Sequence, residues 1–148
     1  MKVVVDANIL FSAVLDRTGA VAKVWFDAEP VFHFIAPAFL LDELSKHHSR
    51  VARMLGLDIA QVEAIESLFI EQLELIEEAV VPMEIRAKAA NALASIDPQD
   101  APYLALALHF ECPIWTGDRK LSNGLRRKDI HIAIDTAIMR TLVEQLKH

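Results

Sequence analysis

The sequence predicts an α/β protein built on a parallel sheet, and three observations point that way. Short apolar, β-branched runs such as Val3–Val5 alternate with longer stretches of helical periodicity. The clearest run is apolar on consecutive residues rather than on every second one, the mark of a strand covered by helices on both faces. It ends abruptly on a carboxylate, Asp6, and in open parallel sheets ligands bind beyond the carboxyl ends of the strands.

Val3–Val5 is too short and too β-branched to be a helix and reads as the first strand. After Asp6, residues Ile9, Leu10, Ala13 and Val14 recur at helical spacing as far as the turn Asp16-Arg17-Thr18-Gly19. Ala20–Ala28 makes a second short helix with Val21, Val24 and Trp25 on one face, and Val31–Ile35 is the second strand. Pro37 suits the first position of a third helix, which runs to about Leu55 before Gly56 ends it. Asp58 caps a fourth helix. Its residues Ile59, Val62, Ile65, Leu68, Phe69 and Leu73 form a broad apolar face that either packs on the sheet or receives a second subunit or partner protein.

Leu75–Val81 is ambiguous and has room for a short third strand. Pro82 precedes a helix over Met83–Ser95, and Asp97-Pro98-Gln99-Asp100 opens another that reaches about Phe110. Pro113–Thr116 and Ile130–Ile134 are the last strands. The closing helix, Thr136–Leu146, places Ile138, Leu142 and Leu146 on one side. With no repeat, low-complexity tract or linker, residues 1–148 are expected to form a single domain.

Composition narrows the function. Hydrophobic residues make up 53% of the chain and mean hydropathy is +0.29, which a doubly covered sheet and a subunit interface would both absorb. No uninterrupted apolar run approaches the ~18 residues of a membrane span, and the N-terminus lacks a signal pattern. A lone cysteine, Cys112, cannot form an internal disulfide. A cytoplasmic protein with no membrane association is therefore expected. The net charge of -6 argues against a generic nucleic-acid binder. It does not exclude a nuclease, because acids gathered for metal ions count as negative until the ions bind.

Position selects among the acids. Asp6 and Asp118 each lie just past a predicted strand, so a parallel sheet brings both to one edge; each could instead simply cap the helix that follows. Asp97 and Asp100 compete for a third place. Pro98 makes Asp97 the natural cap, whereas Asp100 heads the apolar helix carrying Leu104 and Leu108, and its carboxylate gains from the helix dipole. At roughly 100° per residue, Glu43 lies about 90° from the centre of its helix's apolar face, and Asp42 lies nearly opposite that centre, in solvent. Glu43 can reach the sheet edge and Asp42 cannot. Carboxylates gathered in this way repel one another unless a hard divalent cation, Mg²⁺ or Mn²⁺, joins them. Such ions promote hydrolysis of phosphodiesters.

The segments VVVDANILFSAVL, LLDELSK with Glu43, DPQDAPYLALAL and IWTGDRKL occur in this order over nearly the whole chain. Together they resemble the PIN domain and, more narrowly, nuclease toxins of the VapC kind from toxin–antitoxin pairs. The resemblance implies a parallel sheet of about five strands sandwiched between helices, and a Mg²⁺- or Mn²⁺-dependent endoribonuclease acting on RNA. It implies that Asp6, Glu43, Asp100 and Asp118 form the catalytic, metal-binding cluster, with Asp6 and Asp100 as principal ligands. Asn8 and Thr116 match positions that support the cluster by hydrogen bonding. A homodimer inhibited by a cognate antitoxin is implied as well. Asp97 departs from the simplest pattern by adding an acid beside Asp100.

Arg119, Lys120, Arg126, Arg127 and Lys128 follow Asp118 closely and are candidates for RNA phosphate contacts. A second basic group, Lys46, Arg50 and Arg53, reads as a solvated helix face. Two rival readings use the same acids: a catalytically silent RNA-binding or scaffold module, and a phosphoryl hydrolase with Asp6 as covalent nucleophile. Asn8 stands where the usual form of the latter motif has a second Asp.

Overall fold

A computed structural model describes residues 1–147. Five parallel strands form one sheet in the order β3-β2-β1-β4-β5: β1 (Lys2–Val5), β2 (His33–Pro37), β3 (Leu73–Ile76), β4 (Ile114–Trp115) and β5 (Ala133–Ile134). Between and after them lie α1 (Ala7–Leu15), α2 (Ala20–Asp27), α3 (Leu40–Leu55), α4 (Ile59–Ile70), α5 (Met83–Leu93), α6 (Ala101–Phe110), α7 (Arg119–Arg127) and α8 (Thr136–Lys147). Short 3₁₀ turns at Glu78–Val80 and Pro98–Asp100 lead into α5 and α6. The α/β class, the parallel sheet and the five strands are those the sequence predicts.

The direction of winding positions everything else. From β1 the chain steps outward to β2 and β3, then returns and steps the other way to β4 and β5. Right-handed crossovers therefore put α1–α4 on one face of the sheet and α5–α7 on the other. The reversal falls between β1 and β4, which pair in register Val4↔Ile114 and Val5↔Trp115. Their pairing continues through Asp6 N–H to the Trp115 carbonyl at 3.1 Å. The crevice at such a switch point is where this architecture binds ligands. Asp6 and Thr116–Asp118 leave their strands on opposite walls of it.

The central strand explains its own sequence: Val3, Val4 and Val5 are each 0% exposed, so neither face tolerates a polar residue. On one side Trp25 of α2 stacks between Phe34 and Trp115 at ring distances of 4.7 and 6.0 Å, with Phe69 edge-on. On the other, α6 lays Leu104, Ala105 and Leu106 against β1, β2 and β4.

Several boundaries differ from expectation. Pro37 does not open α3; it is the last residue of β2, paired with Ile76, and the helix begins at Leu40. The second strand is accordingly His33–Pro37 rather than Val31–Ile35. Leu73 belongs to β3 and not to the face of α4, whose buried apolar residues are Val62, Ile65 and Phe69; Ile59 and Leu68 are exposed. The closing helix buries Met139 and Val143, leaving Ile138 and Leu146 exposed, because α8 packs along α2 on that face. The helix ends read from sequence stand: Gly56 closes α3 with φ of 68°, and Asp58 and Gln61 form a reciprocal capping box on α4.

Candidate metal centre

Four loops and helix starts meet at the switch point. Asp6 ends β1 and is 4% exposed. Its Oδ2 accepts from the Thr116 hydroxyl at 2.7 Å and from Asn8 Nδ2 at 3.1 Å. The Thr116 oxygen in turn accepts from the Asp118 N–H at 3.0 Å and from Asn8 at 3.3 Å, so its own proton is committed to Asp6. Asn8 Oδ1 accepts from the Gly117 N–H at 3.0 Å, tying the start of α1 to the loop after β4. This network fixes the direction of Asp6 and the path of the backbone into Asp118.

Asp97, Asp100 and Asp118 form the tightest acidic group: each offers a carboxylate oxygen, and the three oxygens lie within 4.8 Å of one another. Asp97 and Asp118 are also caps, accepting from Gln99 N–H at 3.2 Å and Leu121 N–H at 3.1 Å. The choice between cap and cluster posed by the sequence is thus no choice, since a carboxylate has two oxygens and can use one for each task. Asp100 differs from both. It is 9% exposed, and its buried Oδ2 has no hydrogen-bond partner.

Glu43, in the first turn of α3, is half-buried, whereas Asp42 is exposed. Tyr103, one turn past Asp100 on α6, is 0% exposed and donates its hydroxyl to Glu43 Oε1. It is the chain's sole tyrosine. Spacing could have pointed to it, because residues three apart share a helix face with the acid that precedes them.

The electrostatics follow from this crowding. Burial, then the charges of Asp6, Asp97, Asp118 and Glu43, push Asp100 from an ordinary 3.8 up to about 8. Burial likewise raises Asp6 to about 6, with Glu43 and Asp118 adding to the rise and the Thr116 hydroxyl opposing it. Glu43 is raised chiefly by burial, against the help of Tyr103 and Lys46. Five acids thus share one pocket, and no salt bridge among the described residues neutralises them.

A buried carboxylate with an oxygen that has no donor, grouped with two more carboxylates, fits a cation. The donors are all oxygen, which suits a hard divalent ion and not zinc.

Asp118 caps α7, a helix whose extent the sequence reading did not give and which carries the basic residues. Leu121, Gly124 and Leu125 are its buried side. Arg119, Lys120, Arg126, Arg127 and Lys128 are all exposed. Gly124 permits a close approach: a Cβ there would lie 2.6 Å from Ile96 Cδ1. Ile96 precedes Asp97, so this contact docks the helix headed by Asp118 onto the segment carrying the other two acids.

The fold and site thus define an α/β protein with a cluster of carboxylates at the sheet's switch point. The chain belongs to the PIN domain family, whose model matches residues 4–141. Among solved structures it is similar to a chain of VapBC2 from Rickettsia felis bound to a DNA fragment from their promoter. The TM-score is 0.69 and the identity 16%, and the match covers 91% of this chain and 98% of that one. No curated protein matches significantly.

Proposed function

We propose that the protein is a metal-dependent endoribonuclease, using Mg²⁺ or Mn²⁺, and the toxin component of a toxin–antitoxin pair. The observation that carries the reading is Asp100: a buried carboxylate, one oxygen unpartnered, within reach of Asp97 and Asp118 and beside Asp6 and Glu43. A bound divalent ion would polarise a phosphodiester oxygen and make water a better nucleophile. Asp100, Asp118 and Asp97 would hold it, with Asp6 and Glu43 completing the site directly or through water. Thr116 and Asn8 keep Asp6 aimed, and no protein side chain attacks.

Substrate would approach along α7, whose Arg119 and Lys120 stand beside Asp118 and whose Arg126, Arg127 and Lys128 extend the positive surface. Asp6 is buried with Oδ2 already holding two donors, which disfavours the covalent-nucleophile alternative. The family supports a nuclease, and the structural likeness to a VapBC2 chain supports an antitoxin partner. Exposed Ile59 and Leu68 on α4 give a second copy or that partner an apolar surface to cover. No described helix is long and apolar enough to cross a membrane.

The test is RNA cleavage by the purified protein with Mn²⁺ and with EDTA. Cleavage should require the ion and vanish in Asp6→Ala and Asp100→Ala while both variants stay folded. Undiminished cleavage in either variant refutes the assignment. Ion binding without turnover on any RNA would favour the silent binding module.

A further inference from the structure

We infer that Tyr103 is a positioning residue for the metal centre, acting through Glu43. The inference rests on the metal reading above and adds to it a residue that no acidic motif contains.

Tyr103 lies in the first turn of α6, three residues beyond Asp100, the residue that precedes the helix. Its ring is wholly buried, and its hydroxyl reaches across to α3 and donates to Glu43 Oε1. Glu43 is the one member of the acid group carried by a helix on the opposite face of the sheet, and no backbone cap or hydroxyl network like that of Asp6 holds it among the described residues. A glutamate has three side-chain torsions to fix, and one hydrogen bond from a rigid, buried donor removes most of that freedom. The phenol therefore fixes Oε1 and leaves Oε2 free of it to serve as a ligand. It also links the two sides of the site, since α6 follows directly on Asp100 and α3 carries Glu43.

A merely structural reading is available: a buried hydroxyl must find some acceptor, and Glu43 is at hand. The two readings differ in what removal of the hydroxyl does to ion binding. Tyr103→Phe keeps the ring and its packing. If the phenol positions Glu43, this change should weaken Mn²⁺ binding about tenfold or more, the range seen when groups that orient metal ligands are removed. Glu43→Gln should also weaken it, and adding Tyr103→Phe to Glu43→Gln should then weaken it little further.

Calorimetric titration of Mn²⁺ into the unaltered chain, both single variants and the double variant measures this directly, with thermal unfolding in EDTA confirming the fold of each. Equal losses from Tyr103→Phe in both backgrounds, or an unchanged affinity, overturn the inference while leaving the metal centre intact. Failure of the unaltered chain to bind Mn²⁺ overturns both. If Tyr103→Phe does not fold, Glu43→Asp serves instead. It keeps the charge but draws the carboxylate back from the phenol by one methylene, and it should lose affinity to a similar degree; unchanged affinity in Glu43→Asp overturns the inference too.

Discussion

Replacing Asp100 with Asn should stabilise the metal-free protein at pH 8 and leave it nearly unchanged at pH 4. The native carboxyl is raised from 3.8 in the unfolded chain to about 8 in the folded one. A group raised on folding contributes fully below its unfolded value, and that contribution drains away as pH climbs through the folded value. The window therefore runs from about pH 4 to about pH 8. Each tenfold change in proton affinity is worth ~1.4 kcal/mol. Taking about half of the nominal shift, because the neighbouring Asp97 and Asp118 are partly exposed and screened by solvent, leaves a penalty on the order of 3 kcal/mol at pH 8. For a domain of this size that corresponds to roughly 6–12 °C in Tm.

The assay is thermal unfolding in EDTA across that range, for the native chain and Asp100→Asn. The native Tm should fall with rising pH and the variant's should fall much less. A residual slope remains in the variant because Asp6, raised to about 6, still titrates. Added Mn²⁺ should raise the native Tm at pH 8, by ~2.7 kcal/mol of stability at a hundred times Kd, and should do little for the variant. A variant no more stable than the native chain at pH 8, or a difference that ignores pH, would show that the acids are not in electrostatic conflict.

Thr116→Val removes the hydroxyl shared by Asp6, Asn8 and the Asp118 N–H, and should weaken Mn²⁺ binding by ~10–100-fold, read by calorimetry. Gly124→Ala drives a methyl into Ile96; overpacking of ~1–3 kcal/mol outweighs the ~1 kcal/mol gained in helix propensity. Denaturant unfolding should register the net loss, and Mn²⁺ affinity should fall with it as Asp118 is pushed from Asp97. Reversing Arg126 and Arg127 to Glu should weaken RNA binding and flatten its salt dependence, with Mn²⁺ affinity unchanged.

What could be read from the sequence was whatever a local rule decides. Val3–Val5 and Asp6 were legible because consecutive β-branched residues ending on a carboxylate describe a central parallel strand and its outlet. Gly56 and Asp58 were legible because helix ends use local backbone chemistry. Pro37 was not, since a proline is equally at home closing a strand and opening a helix, and only the partner Ile76 decides. The buried face of α8 was not legible for a related reason: Ile138, Leu142 and Leu146 repeat every four residues, but contact with α2 buries Met139 and Val143 and of the three covers only Leu142 in part. The extent of helix α7 was hidden by its basic composition, with Leu121 and Leu125 its only apolar side chains. At the site, sequence order located the acids and the family resemblance supplied Asn8 and Thr116, but neither pointed to Tyr103, whose bond to Glu43 spans 60 positions.

The contrast between Asp6 and Asp100 carries a last step. Both are buried carboxylates at one sheet edge, yet one oxygen of Asp6 holds two donors while Oδ2 of Asp100 has none. Folding routinely satisfies such groups, because an unsatisfied buried oxygen costs about 1–3 kcal/mol and more when charged. The hydroxyls of Thr116 and Tyr103 go to Asp6 and Glu43, and the Gln99 and Leu121 N–H groups go to Asp97 and Asp118. The unmet demand at Asp100 and the mutual repulsion of its neighbours are then one quantity seen twice, as instability without an ion and as affinity for one. Any substitution in this pocket that makes the metal-free chain more stable at neutral pH should, for that reason, bind the ion less well, and a variant that improved both would break the link.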